Sequence, residues 1–354
     1  MPVLIIISSL GIGGTEQKVI RVANDLIKKG VKVNILSLSN NNSQSSKLDK
    51  KVKFNIIDTN SSILNRILAY KEISKHIHSI QSLNCIFFFN YYPVIFSSSM
   101  NIKQISFINT THLVTPSCKI KKILANYKFK NIDEIIVGNR ELKDIMTNNV
   151  TKNKLSVLHN GIDNNHGHIK STYCTNGKFK IVIVARLRPE KKHTTLFQAL
   201  KIIKNKNIDF SLDCFGEEVH DGFKIKLIQE CSKNNISEHV NFLGNVDNVT
   251  SKVANYDAYV LPSNDTFSNA TLEAMSTGCP VIASNTGGSL EMINDNIDGL
   301  LFEYNDPISL AEKIEILINS KTTRERLGVA AIKKINTKFS EELMFSKYHK
   351  YTEL

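Results

Sequence analysis

The chain has 354 residues, 42% hydrophobic and 22% charged, and carries a formal net charge of +12. That length predicts two domains rather than one, no apolar run reaches the roughly 20 residues that span a bilayer, and six scattered cysteines without a C-x-x-C pair read as reduced thiols in a cytoplasmic protein. The charge is uneven: residues 1–165 hold 22 Lys+Arg against 10 Asp+Glu, and residues 166–354 hold 23 of each.

Met1-Pro2-Val3 enters a strand over residues 3–9 with no basic leader, so no signal peptide is expected. A Gly-rich turn follows, Leu10-Gly11-Ile12-Gly13-Gly14-Thr15-Glu16. A helix then places apolar residues at Val19, Ile20, Val22, Ala23, Leu26 and Ile27 and stops at Gly30. A strand from Val31 to Leu38 completes a βαβ unit. G-I-G-G is not G-x-G-x-x-G, and the second strand ends without an acid for a ribose, which argues against a nicotinamide dinucleotide. Residues 40–50 read as a polar loop. Strands are predicted over Cys85–Asn90, Gln104–Asn109 and Ile132–Val137, and short helices after Pro93 and over Glu141–Met146. His112 falls just past the carboxyl end of one of these strands. Lys119 to Lys130 interleaves five lysines with Ile120, Ile123, Leu124, Tyr127 and Phe129. This is the pattern of a basic amphipathic segment at an anionic membrane, and equally of a solvated helix face. Residues 164–178 read as a linker, with His166 and His168 lacking a third metal ligand nearby.

A second α/β pattern restarts at Lys180. Strands are expected at Lys180–Ala185, Phe210–Phe215 and Val240–Gly244, and at the apolar run ending in Leu261. A helix starting near Ser268-Asn269, two good N-cap residues, stops at Gly278-Cys279-Pro280. Parallel strands would gather Arg186, Lys191, Gly216, Asp265, Asn269 and Glu273 at one edge, where open α/β sheets bind ligands. Two cations and a helix amino terminus suit a diphosphate. There is no D-x-D sequence to hold a bridging divalent metal, so none is expected.

The order and spacing of several short motifs resemble the family 4 glycosyltransferases, retaining enzymes of the GT-B architecture, over nearly the whole chain. Gly13-Gly14-Thr15-Glu16 is similar to the family's G-G-x-E loop, and Asn160-Gly161-Ile162-Asp163 to its N-G-(V/I)-D. Ala185-Arg186-Leu187 through Lys191 is similar to G-R-L-x-x-x-K, and Phe242-Leu243-Gly244 to F-x-G. Pro262-Ser263 through Glu273-Ala274-Met275 and Gly278-Cys279-Pro280 matches its most specific block, which Gly287-Gly288 continues. One departure stands out: the family's E-x7-E is Asp265-x7-Glu273 here.

The resemblance implies two doubly wound Rossmann-like domains facing a cleft. Residues 1–165 form the acceptor side, 166–336 the donor side, and 337–354 a helix crossing back to the first domain. It implies a nucleotide-sugar co-substrate, UDP-linked by expectation, held by Arg186 and Lys191 on the diphosphate and Glu273 on the ribose. Gly244 lies by the nucleobase, backbone at Phe267, Ser268, Asn269 and Ala270 meets sugar or phosphate, and Gly13, Gly14 and Gly216 allow close approach. Asp265 and His112 are the candidate catalytic side chains near the donor sugar. A glycan or lipid-linked glycan acceptor in surface polysaccharide assembly is expected; the charge of the basic first half suits contact with the inner face of the plasma membrane, and equally reflects a Lys-rich composition. A non-catalytic sugar-nucleotide or glycan-binding protein and a nucleotide-sugar epimerase remain alternatives. Nucleic acid is not expected as a partner: Trp is absent and no recognised nucleic-acid motif occurs.

Overall fold

The structure, a computed structural model, describes residues 2–11, 13–59, 63–108, 126–147, 154–163, 177–219, 221–265 and 267–352. His112, His166, His168 and the lysine-rich stretch up to residue 125 lie outside them. The chain divides into two compact units, Met1–Asn160 with Glu342–Leu354, and Gly161–Glu341.

The first unit runs β1 (Pro2–Ile7), α1 (Gly14–Lys28), β2 (Lys32–Ser37), β3 (Lys53–Ile56), α2 (Ile63–Ser79), β4 (Cys85–Phe89), β5 (Lys103–Ile108), β6 (Glu134–Val137), α3 (Arg140–Thr147) and β7 (Leu155–Val157). Its sheet has the order β3-β2-β1-β4-β5-β6-β7, and every pairing is parallel. A parallel sheet is covered on both faces, which is why β1 and β4 read as continuous apolar runs rather than alternating ones. Val3, Ile5 and Ile7 pack with Val19, Ala23 and Leu26 of α1. Leu4 and Ile6 face the other way, towards Ile73 and Ile77 of α2. The stretch holding β3 and α2 gave no clear sequence signal. β3 is an edge strand with exposed Lys53, Asn55 and Ile56, so burial imposes no pattern on it.

The second unit runs β8 (Phe179–Val184), α4 (His193–Asn205), β9 (Phe210–Phe215), α5 (Phe223–Lys233), β10 (Val240–Gly244), α6 (Val249–Val253), β11 (Ala258–Leu261), α7 (Asn269–Thr277), β12 (Val281–Ser284), α8 (Ser289–Met292), β13 (Leu300–Phe302), α9 (Pro307–Asn319) and α10 (Lys321–Lys338). The parallel order is β10-β9-β8-β11-β12-β13. The chain moves outward from β8 to β10, then returns to place β11 on the other flank of β8. The strand order therefore reverses between β8 and β11, and the crevice outside their carboxyl ends is the expected ligand position.

The last helix, α11 (Glu341–Lys350), belongs almost wholly to the first unit. Tyr348, 1% exposed, stacks on Phe107 with ring centroids 4.6 Å apart and on Phe89 at 6.3 Å. No helix among the described residues is long and apolar enough to cross a membrane.

Candidate active site at the carboxyl edge of the second sheet

The loop after β8 and the loop after β11 meet through one ion pair. Lys191 ends a short 3-10 turn, Pro189–Lys191, and its Nζ donates to both carboxylate oxygens of Asp265, at 2.8 and 2.7 Å. The two side chains are only 21% and 19% exposed. Low exposure strengthens the attraction and raises the desolvation cost, so removing one partner is far more damaging than never having had the pair. The sequence separates these residues by 74 positions and gave them different tasks. Only the adjacency of β8 and β11 makes them partners.

Backbone contacts fix both loops. Gly288 N–H donates to the Asp265 carbonyl at 2.8 Å. Gly287, at φ +53°, lies so close that a Cβ there would overlap Asn264 Oδ1 and crowd the Asp265 carbonyl. The Gly287-Gly288 doublet thus holds Asp265 from the end of β12. The doublet was visible in the sequence, but its contact with Asp265 was not. On the other flank Gly216, at φ +141°, sits where a Cβ would overlap the Ala185 carbonyl oxygen. Its N–H donates to the Gly244 carbonyl at 2.8 Å, and Gly244 itself has φ +68°. Both conformations lie in the region that favours glycine.

The helix amino terminus is built as its composition suggests. Ser268 is the N-cap of α7, its Oγ accepting from the Thr271 N–H at 3.2 Å. Asn269 opens the helix. Ala270 and Phe267 are half-buried against the second unit's core, with Phe267 edge-on to Phe339 at 5.9 Å. Glu273 is half-buried in α7. Beneath them lies Tyr259 of β11, fully buried, within 3.4 Å of the Thr271 hydroxyl. Burial pushes the Tyr259 phenol up, and the Asp265 and Glu273 carboxylates push in the same direction, against the hydroxyls of Thr271 and Ser268. One ring therefore feels both acids of the Asp265-x7-Glu273 pattern.

Arg186 is exposed just past β8 and makes no ion pair or side-chain hydrogen bond among the described residues. Glu190, the nearest carboxylate in sequence, is taken by Arg188 at 2.6 Å. Among the described residues one cation thus has no partner and the other is paired with Asp265, beside a helix amino terminus that adds partial positive charge. His193, at the start of α4, is 2% exposed with neither ring nitrogen hydrogen-bonded. Burial, with the Lys191 ammonium adding to it, holds its pKa down at about 4, so it is neutral near pH 7. Sequence reasoning missed this residue, because a histidine in a helical pattern gives no sign of its burial.

In the first unit, Gly13 and Gly14 lie at the start of α1, where the Gly13 carbonyl accepts from Gln17 N–H at 3.1 Å. Gly13 has φ 178°, extended backbone that any residue adopts. Among the described residues no group of three or more His, Cys, Asp or Glu could hold a metal ion.

Residues 168–334, nearly the whole second unit, match the family model described as glycosyl transferases group 1. An uncharacterized glycosyltransferase of Methanocaldococcus jannaschii, MJ1178, is 33% identical over 221 residues, 61% of this chain and 58% of that protein. The capsular polysaccharide biosynthesis glycosyltransferase CapM of Staphylococcus aureus is 30% identical over 233 residues, 60% of each chain. The chain thus matches these two relatives over less than two thirds of their length. Among solved structures, Anabaena Alr3699/HepE in complex with UDP is similar with a TM-score of 0.86 at 16% identity, covering 99% of both chains. The same protein in complex with UDP-glucose gives a TM-score of 0.83 at 16% identity over 100% of both chains. At that identity the likeness carries the fold, two doubly wound parallel sheets of the GT-B type.

Proposed function

Since residues 168–334 match the family model described as glycosyl transferases group 1, we propose that the protein is a retaining, metal-independent glycosyltransferase. It moves a sugar from a UDP-linked donor to a glycan or lipid-linked glycan acceptor in surface polysaccharide assembly. The observation that carries this reading is the Lys191–Asp265 pair at the point where the second sheet reverses its strand order. Support for the nucleotide comes from HepE, whose structures hold UDP and UDP-glucose. Support for the setting comes from CapM, a capsular polysaccharide enzyme.

In this reading the donor diphosphate takes Arg186 and the Lys191 ammonium, and the amino end of α7 faces one phosphate. Lys191 exchanges one anion for another, so its charge is never left unpaired. Asp265, released from Lys191, turns to hydroxyls of the donor sugar, and Glu273 accepts from the ribose hydroxyls. As the glycosidic bond to phosphate breaks, the cations and the helix terminus stabilise the growing negative charge on the leaving diphosphate. The departing phosphate then takes the acceptor's proton on the face where the new bond forms. Asp265, one methylene shorter than the glutamate of the resembling family, tunes which sugar is accepted. The first unit binds the acceptor.

A thermal-shift panel of UDP, GDP, ADP and their common sugar conjugates tests this reading. A ligand that binds only the folded state raises its apparent stability. UDP should stabilise the chain, one UDP-sugar should add to it, and that sugar should then be transferred in an assay. No response from any nucleotide would shift the reading to a glycan-binding protein without transfer activity.

A further inference from the structure

The first unit contains a cavity of about 870 Å³ at the amino edge of its sheet, the edge away from the strands' carboxyl ends. Lys32, Lys51, Lys53 and His76 line it, and among the described residues no Asp or Glu does. None of the three lysines makes an ion pair among the described residues. Asp49, beside them in sequence, accepts instead from the Lys51 backbone N–H at 2.8 Å.

Strand register brings the groups together. Asn34 of β2 pairs with Lys53 of β3, and Lys32 lies two residues before Asn34, so the three side chains share one face. Leu36, next on that face, packs against Ile73 and Ile77 of α2, the helix that carries His76. Asn34 is 7% exposed and its side-chain amide has no hydrogen-bond partner among the described residues. His76 Nε2 is also buried without a partner. Lysines at this edge have two ordinary roles: complementing the carboxyl ends of helices and blunting an edge strand. Neither role accounts for a buried imidazole nitrogen left without a partner, which is costly unless something completes it, beside an Asn34 amide that makes no hydrogen bond among the described residues.

We propose that this cavity is a binding site for a phosphate-bearing anion. The lysines supply charge at the rim, and the Asn34 amide and the His76 ring donate from the floor. The phosphate comes either from a soluble organic phosphate or from a phospholipid headgroup at a membrane surface. The site involves none of the groups assigned to the sugar donor and stands whether or not that assignment does.

Inorganic pyrophosphate, titrated calorimetrically into the full chain with saturating UDP present, measures the soluble form. Sedimentation with phosphatidylglycerol vesicles, against phosphatidylcholine vesicles, measures the headgroup form. Binding of at least one probe is expected, weakened about tenfold or more by Lys51→Gln/Lys53→Gln, since charge-assisted hydrogen bonds carry that much affinity. Asn34→Leu should also weaken it at unchanged charge, while Lys47→Gln/Lys143→Gln, outside the cavity lining, should not. Pyrophosphate binding lost in the cavity variants supports a soluble ligand, and vesicle binding alone, lost in the same variants, supports the headgroup. Neither probe binding, or an equal loss from Lys47→Gln/Lys143→Gln, overturns the site.

Discussion

Lys191 and the lysine trio of the first unit are both cationic groups at a sheet edge, but they are built in opposite ways. Lys191 is four-fifths buried, engaged by both oxygens of Asp265, on a loop held by close backbone contacts. Lys32, Lys51 and Lys53 are exposed and make no ion pair among the described residues. A buried, paired cation is preorganised: a ligand that displaces its partner meets a fixed charge in a poorly screened place, and removing it strands a carboxylate. Exposed lysines attract from a distance, are screened by salt within about 8–10 Å, and contribute little to stability. The contrast predicts where substitution hurts the fold, where it hurts the chemistry, and where it touches neither.

The largest effect is expected from Gly216→Ala, which places a methyl group against the Ala185 carbonyl at a φ of +141°. The second unit should lose about 3–4 kcal/mol in a denaturant unfolding experiment. An unchanged midpoint would mean that the two loops are not held by this contact. Next, Lys191→Ala and Glu273→Ala should each lower transfer at least about a hundredfold, the scale of losing one transition-state contact. The fold should persist by circular dichroism. Retained turnover in both variants would sink the site assignment.

The acid response of His193 sharpens the buried side of the comparison. Its folded pKa of about 4 lies below the ordinary value. The unfolded chain therefore takes up a proton as pH falls through about 6.5, while the folded chain does not. Its contribution is intact above that pH and declines towards pH 4, by up to about 3 kcal/mol. Melting curves from pH 7 to pH 4.5 should show a steeper loss for the native chain than for His193→Leu; parallel slopes would contradict the buried neutral imidazole. A smaller effect is expected from Asp265→Glu, which keeps the charge and adds one methylene. Stability should move by less than about 1 kcal/mol, while the preference among UDP-sugars in competition assays should change. The smallest effect belongs to the exposed set: Lys51→Gln/Lys53→Gln should shift unfolding free energy by no more than about 0.5 kcal/mol. A large loss there would show that these lysines are structural after all.

Much of this molecule was legible without coordinates. The apolar runs of β1, β4 and β8, the Gly30 and Gly278 stops and the Ser268 cap are local signals, set by backbone stereochemistry and by burial on both sheet faces. So were the residue types of the candidate site, because Arg186, Lys191 and Glu273 stand at fixed offsets from those strand ends. The edge strand β3 was not legible, since exposure on one side removes the pattern that burial imposes. Nor could the sequence join Lys191 to Asp265, support Asp265 with Gly287, set Gly216 against Ala185, or bring Lys53 beside Asn34. Those relations depend on strand order and register, which are settled by long-range pairing rather than by neighbours in the chain. The sequence alone determined most of the elements and the residue types at their ends. Tertiary structure decided which charges are paired and which polar atoms are buried without partners, because both depend on strand order and register.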